Sequence, residues 1–412
     1  MELFYVLLIL LLLTRACGEV AERCGQPALV GELISGVGLG LCARANPQLT
    51  PGLADLSEEP VFVSLTDLGV FFLMLHGGIE LRPRDLAGAT GRSLVVAVSG
   101  LIVPLIFGFG LSWLFIPASE VRWTQCLFVG TALAITAVPV SIRVLSDLGR
   151  LDSRVGHLIV SAAIIDDVLS LLLLAVLTGV IQSGTAPGPA ELGLLTLKIA
   201  VFFGVTFAGG RWLLPKLWRW TQRLHQDEFE FSALLLGALA AAVAAEELGL
   251  HFILGAFAAG LFFQRSAVGQ RVYDDVKGKV SAITTGFLAP LFFASIGLHL
   301  TLSAFREIPL YLAMLIIAAL VSKLLGAGVP ARLLGFSNRD AVAAGVGMSA
   351  RGAVELIIAD VAMRAGLFDS PQPSPPAVRY LFSAIVIVAV TTTIVTPILL
   401  RWTFREDTAD GS

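Results

Sequence analysis

The chain has 412 residues, of which 56% are hydrophobic and only 14% charged, with a formal net charge of −3. A soluble domain carries about 25% charged residues, so this composition excludes a water-soluble globular protein and places the chain in a lipid bilayer. No basic tract marks a nucleic-acid partner, and recurring apolar runs of about 20 residues mark helices rather than the alternating strands of a barrel.

The first apolar segment carries Glu2 and no Lys or Arg at its start, and Thr14-Arg15-Ala16 is a poor cleavage site, so it is expected to be a mature helix and not a signal peptide. Hydropathy predicts thirteen transmembrane helices, roughly 2–20, 27–43, 61–79, 92–116, 123–146, 156–183, 192–214, 230–247, 251–265, 282–300, 308–329, 340–365 and 378–402. The longest connections are expected at 44–60, 184–191 and 215–229, and no soluble domain is expected. Lys and Arg crowd alternate loops, as at 143–154, 211–223 and 265–279, and thin out in the loops between. That asymmetry predicts a multi-pass protein of the cell (inner) membrane with its N-terminus outside and its C-terminus in the cytoplasm. Cys17, Cys24, Cys42 and Cys126 lack metal-ligand spacing and are expected to be free thiols.

An internal repeat is visible. Ala21-Glu22-Arg23-Cys24-Gly25, then Gly31 and Gly36, match Ala245-Glu246-Glu247-Leu248-Gly249, then Gly255 and Gly260, at a constant offset of 224. Phe71-Phe72 with Gly78-Ile79-Glu80-Leu81 echoes Phe292-Phe293 with Gly297-Leu298-His299-Leu300. The first six spans therefore correspond to the last six, shifted by seven, and an odd shift inverts the second half. Residues 1–190 are expected to form the first inverted repeat, 191–215 a linking helix, and 229–405 the second repeat. Inverted repeats of this kind are a signature of secondary transporters.

Span 6 holds Asp166 and Asp167 inside an apolar run from about 158 to 181. One unpaired carboxylate in hydrocarbon costs several kcal/mol, and two neighbours repel each other, so the pair requires a positive partner, a transported cation or a proton. Span 5 contains Ile135-Thr136-Ala137-Val138-Pro139, where Pro139 lacks an N–H and frees the carbonyl of Ile135. Freed carbonyls and the Thr136 hydroxyl are hard oxygen donors suited to a small cation. Span 12, the repeat mate of span 5, carries Gly345, Gly347 and Gly352, and it places Arg351 four residues before Glu355, a spacing for a neutralising structural pair at the break. Two broken, crossing helices in corresponding places of two inverted halves put the site between them.

Lys323 lies within span 11, either snorkelling to an interface or bridging to one member of the Asp pair. Lys198, one turn inside the linking helix, reads as interfacial. Adjacent helical residues point about 100° apart, so one aspartate can turn to Lys323 and the other to the broken-helix crossing. This divergence also argues against an intramembrane aspartyl protease, which needs two carboxylates facing each other from different helices. Glu22, Glu32, His76, Glu80, Asp85, Glu246 and His299 read as solvated or structural groups, or as an acidic funnel for cations.

Gly18-Glu19-Val20-Ala21-Glu22-Arg23 with Gln26-Pro27-Ala28-Leu29-Val30-Gly31-Glu32 resembles the opening of the second monovalent cation:proton antiporter family, which includes bacterial sodium/proton exchangers and Kef-type potassium/proton systems. Pro290-Leu291-Phe292-Phe293-Ala294-Ser295-Ile296-Gly297 resembles its mid-chain motif, and Ala350-Arg351-Gly352-Ala353-Val354-Glu355-Leu356 its late Arg-Gly motif. The resemblance spans essentially the whole chain. It implies an elevator-type homodimer with a moving core (91–183 and 308–402) and a dimer panel (1–80 and 230–300). It further implies that Asp167 carries the Na⁺ and the proton, that Asp166 pairs with Lys323, and that Thr136 lines the site. The Asp-Asp pair is similar to electrogenic members, whereas Kef-type members usually have Gln at the first position. Many sodium/proton members have Glu two residues after the late Arg; here that position is Ala353 and the acid is Glu355.

The expected activity is sodium/proton antiport, with Li⁺ or K⁺ as other candidate cations, and no enzyme chemistry or cofactor is expected. A potassium/proton antiporter and a sodium-coupled organic solute symporter of similar architecture are the competing transport readings. A non-transporting membrane sensor is the competing reading of another class.

Overall fold

The computed structural model describes residues 2–45, 56, 59–81, 91–183, 188–210 and 228–404, which form helices and their connections without a strand. Most of the expected connections 44–60 and 215–229, the loop arginines at 82, 84, 211, 219 and 223, and Asp85 lie outside these residues. The helices are α1 (Glu2–Arg23), α2 (Ala28–Ala45), α3 (Pro60–Glu80), α4 (Gly91–Phe115), α5 (Arg122–Ala134), α6 (Val138–Asp147), α7 (Arg154–Ser183), α8 (Pro189–Ala208), α9 (Phe229–Glu247), α10 (Phe252–Phe262), α11 (Gln270–Ile283), α12 (Ala289–His299), α13 (Pro309–Lys323), α14 (Val329–Leu333), α15 (Asn338–Gly347), α16 (Ala353–Arg364) and α17 (Leu381–Phe404). A π turn at Thr284–Leu288 joins α11 to α12, and another at Leu324–Gly328 joins α13 to α14.

Among the described residues nine helical segments are long and apolar enough to cross a membrane, and 193–208 and 252–262 are shorter apolar helices. Two further segments, 122–147 and 338–364, are each divided into two short helices.

One segment departs from the hydropathy pattern. The span expected at 282–300 begins at Gln270, because α11 and α12 run on through the π turn. Tyr273, Val276 and Val280 turn inward from this first stretch, while Arg271, Asp275 and Lys279 share its other faces. An amphipathic surface of this kind is helical without being apolar on average. Both π turns are followed within two residues by a proline, Pro290 and Pro330. The wide turn accommodates the N–H that each proline lacks.

The helices fall into two sets by their contacts. In one, α4 packs on α5, α7 and α13, α15 packs on the second π turn and α17, and α16 packs on α5, α7 and α17. In the other, α2 packs on α1 and α12, α3 on α10 and α12, and α9 on α10. Helix α8 touches α7, α9 and α10.

Close backbone approach holds the second set together. At Gly36 a Cβ would strike the Ala294 backbone, and at Gly297 it would strike the Leu33 carbonyl, so α2 and α12 cross glycine on glycine. The crossing of α3 and α10 is built in the same way from Gly78 and Gly260. Small residues serve this purpose in a bilayer, where burial against lipid gives little preference for helix contact and close van der Waals packing supplies the affinity. The ends of α1 and α9 also match. Gly25 and Gly249 both take positive φ. In each, the next residue donates its N–H five residues back, Gln26 to Ala21 and Leu250 to Ala245. This is the Schellman arrangement, and glycine enters it without Cβ strain.

Candidate functional site

Helix α5 stops at Ala134, the chain runs extended through Ile135 and Ala137, and α6 resumes at Val138 with Pro139 in its first turn. The interruption therefore precedes the proline and contains Ile135, whose carbonyl the sequence marks as freed. Proline at the start of a helix forfeits no intrahelical bond, so Pro139 opens the second half-helix. In the facing element α15 stops at Gly347 and α16 begins at Ala353, so Arg351 sits in the gap and Glu355 in the first turn beyond it.

The two gaps bind each other. Ala137 N–H donates to the Ala350 carbonyl at 2.7 Å. The Thr136 hydroxyl donates to the Met348 carbonyl at 3.1 Å, and the Ser141 hydroxyl donates to the Gly347 carbonyl. A Cβ on Gly352 would come 2.8 Å from that of Ala137, so the crossing has no room for a side chain there. These bonds satisfy buried carbonyls that the missing helical turns leave free, which hydrocarbon could not do.

Two cations close the carbonyl end of α5. Arg351 donates to the Ala132 carbonyl and, at 2.8 Å, to the Leu133 carbonyl. Lys323 Nζ donates to the Ala134 carbonyl at 2.5 Å and to Thr136 Oγ1 at 2.6 Å. Positive charge is favoured at that end by the helix macrodipole. Glu355, in the first turn of α16, sits at the complementary positive end and lies 3.2 Å from Arg351 Nη1. Asp166 Oδ2 lies 3.6 Å from Lys323 Nζ. The side chains of Lys323, Asp166, Arg351 and Glu355 are all fully buried.

The structure thus brings Asp166, Lys323 and Thr136 together at one gap and Arg351 and Glu355 at the other. Neither oxygen of Asp166 accepts a hydrogen bond among the described residues, so its link to Lys323 is an ion pair only. Both Glu355 oxygens, the Thr131 hydroxyl and the Ser170 hydroxyl are likewise buried without a hydrogen-bond partner. Asp167 differs from Asp166. It is partly exposed and makes no hydrogen bond or ion pair among the described residues.

A second charged cluster is not legible in the sequence. Arg364, at the end of α16, bonds Asp360 on its own helix and Asp67 on α3, each at 2.8 Å, and donates to Thr66 Oγ1 at 3.0 Å. The i,i+4 spacing of Asp360 and Arg364 is visible in the sequence, but the partners of Arg364 on α3 are not.

Comparison with known proteins defines the class. The model of the transmembrane sodium/hydrogen exchanger family matches residues 7–406, and the chain belongs to that family. Such proteins are transporters.

Among individual relatives, the chain is 32% identical over 404 residues to the Na⁺/H⁺-K⁺ antiporter GerN of Bacillus cereus, covering 98% of this chain and 96% of that protein. It is 28% identical over 402 residues to a Na⁺/H⁺ antiporter of Enterococcus hirae, covering 98% of each. Its fold is similar to that of the sodium proton antiporter MjNhaP1 from Methanocaldococcus jannaschii, with a TM-score of 0.72 at 19% identity over 100% of this chain and 99% of the other.

Proposed function

We propose that the protein exchanges sodium, or another monovalent cation, for protons, and that the two compete for Asp167. The observation that carries this reading is the charge pattern around the gaps. Of the three buried or half-buried acids there, Asp166 pairs with Lys323 and Glu355 with Arg351, while the Asp167 side chain forms no ion pair among the described residues. A carboxylate in a bilayer needs compensation; a transported cation or a proton supplies it in turn. At high pH the ionised carboxylate binds the cation, and protonation displaces it.

The repeat supports alternating access. The contact of Gly31 with the Cys17 carbonyl recurs, shifted by 224, as Gly255 against the Ala241 carbonyl. Gly36 on Gly297 mirrors Gly260 on Gly78, with the helices exchanged as an inverted pair requires. On this reading the set containing α4–α7 and α13–α17 is the moving core, and the set containing α1–α3 and α9–α12 is the panel of a homodimer. The N-terminus lies outside the cell membrane and the C-terminus in the cytoplasm. The motifs favour the second monovalent cation:proton antiporter group, and the Asp-Asp pair favours electrogenic exchange. Glu355, four residues after Arg351, takes the place of the acid missing at Ala353.

Reconstitution in proteoliposomes tests this directly. Proton flux is expected on addition of Na⁺, with Li⁺ and K⁺ compared in parallel and membrane potential recorded. Flux that appears only with an organic solute, or no flux with any alkali cation, contradicts antiport. Lys323→Gln is expected to remove the current or to move the half-maximal pH of exchange by about one unit or more, since it withdraws a full charge from beside Asp166. Unchanged current together with an unchanged pH profile contradicts the role given to Lys323.

A further inference from the structure

The two helix sets touch along a boundary that few side chains bridge with charge. Arg364 is one that does. It belongs to α16 of the first set, yet it holds Asp67 and Thr66 of α3, in the second set, at 2.8 and 3.0 Å. Asp360, four residues earlier and nearly buried, takes the guanidinium's Nε at 2.8 Å and so fixes its direction across the boundary. A cavity of about 320 Å³ opens beside it, walled by Thr178, Val361 and Arg364 from the first set and by Asp67, Val70 and His251 from or beside the second. At the other end of the bundle Arg143 of α6 meets Glu22 of α1 at 3.2 Å, and this ion pair crosses the same boundary. Both ends are therefore tied across the boundary in this conformation.

We propose that Asp67, Asp360 and Arg364 form a latch that closes one mouth of the transport path and opens each time the core moves against the panel. This inference rests on the elevator reading given above. A guanidinium suits the task because it spans two carboxylates at once with fixed geometry. Partial exposure suits it as well. Arg364 and Asp67 keep 33% and 46% of their side-chain surface in contact with solvent. An ion pair that water can reach is weak enough to break reversibly, whereas a fully buried one is not. Asp360 acts as a positioning residue, holding Arg364 toward α3 whether or not Asp67 is engaged.

The test ties the latch shut. In a chain with Cys17, Cys24, Cys42 and Cys126 replaced by serine, Asp67→Cys and Arg364→Cys are joined by a short, reducible bis-methanethiosulfonate linker, and joining is verified by mass. Sodium-driven proton flux is expected to fall at least tenfold on linking and to return on reduction, since the closed state can no longer exchange with the open one. Linked protein that keeps its flux overturns the latch. Absence of cation-driven flux in the natural chain instead overturns the antiport reading, so the two failures are distinct. If the cysteine pair does not fold, a charge exchange carries the test. Asp67→Arg alone, which faces like charge across the boundary, is expected to lose about tenfold in flux. Asp67→Arg with Arg364→Asp and Asp360→Asn, which spares the new carboxylate a like-charged neighbour at 2.8 Å from the replaced guanidinium, is expected to recover to within about twofold of the natural chain. No recovery overturns the proposal.

Discussion

Replacing Asp167 by Asn is expected to abolish cation-driven proton flux while leaving the protein folded and inserted. The substitution keeps the shape of the side chain and removes only its charge. A unit charge interacting with a cation at about 4 Å and an effective dielectric of about 20 contributes roughly 4 kcal/mol, which is nearly a thousandfold in affinity. The folded state loses little, because Asp167 makes no hydrogen bond or ion pair with described residues. Thermal stability in detergent should therefore match the natural chain, while flux in proteoliposomes falls to background. Asp166→Asn is a different experiment. It strips Lys323 of its carboxylate partner at 3.6 Å and leaves a buried cation held only by Ala134 and Thr136. Loss of stability should accompany loss of flux in that variant and not in Asp167→Asn.

The largest effect on stability is expected from Arg351→Met. It leaves Glu355 buried and unpaired and frees the Ala132 and Leu133 carbonyls at the end of α5. Removing one partner of a buried ion pair typically costs about 3–5 kcal/mol. The corresponding fall in apparent melting temperature is on the order of 10 °C, measurable by intrinsic fluorescence in detergent. Adding Glu355→Leu removes the orphaned charge, so Arg351→Met with Glu355→Leu should be more stable than Arg351→Met alone. Recovery should be incomplete, because the carbonyls at the end of α5 stay uncapped. A single variant as stable as the natural chain would show that the pair does not hold the gap.

Most of the helices and the residues at the gaps are legible in the sequence because membrane physics makes both visible. Charged residues are expensive in hydrocarbon, so Asp166, Lys323, Arg351 and Glu355 stood out against apolar surroundings, and the structure draws them into two pairs. Glycines at helix crossings, such as Gly36 and Gly260, were also legible, since close backbone approach admits little else. Other features leave no mark in averaged hydropathy or depend on contacts distant along the chain. The helical stretch from Gln270 was missed because averaged hydropathy discards an amphipathic surface, although its inward Tyr273, Val276 and Val280 follow helical spacing. The π turn after Lys323 was missed because a turn of that width depends on what packs against it; Gly326 there lies against the Ser99 carbonyl. Pro139 marks the break in the sequence but not its exact place, since a proline in a run of apolar residues can either break a helix or begin one. The pairing of Arg364 with Asp67 joins residues nearly 300 positions apart and leaves no mark along the chain.

The central claim is competition between a proton and a cation at one carboxylate, and the apparent KM for Na⁺ measured across pH tests it most directly. Proteoliposomes containing the natural chain would be assayed at a series of Na⁺ concentrations at each pH, with membrane potential clamped. Where the site is mostly protonated, a single competing proton predicts that KM rises about tenfold for each unit that pH falls, with the maximal rate at saturating Na⁺ much less affected. A KM for Na⁺ that stays constant across that range, with only the maximal rate changing, would contradict competition at Asp167.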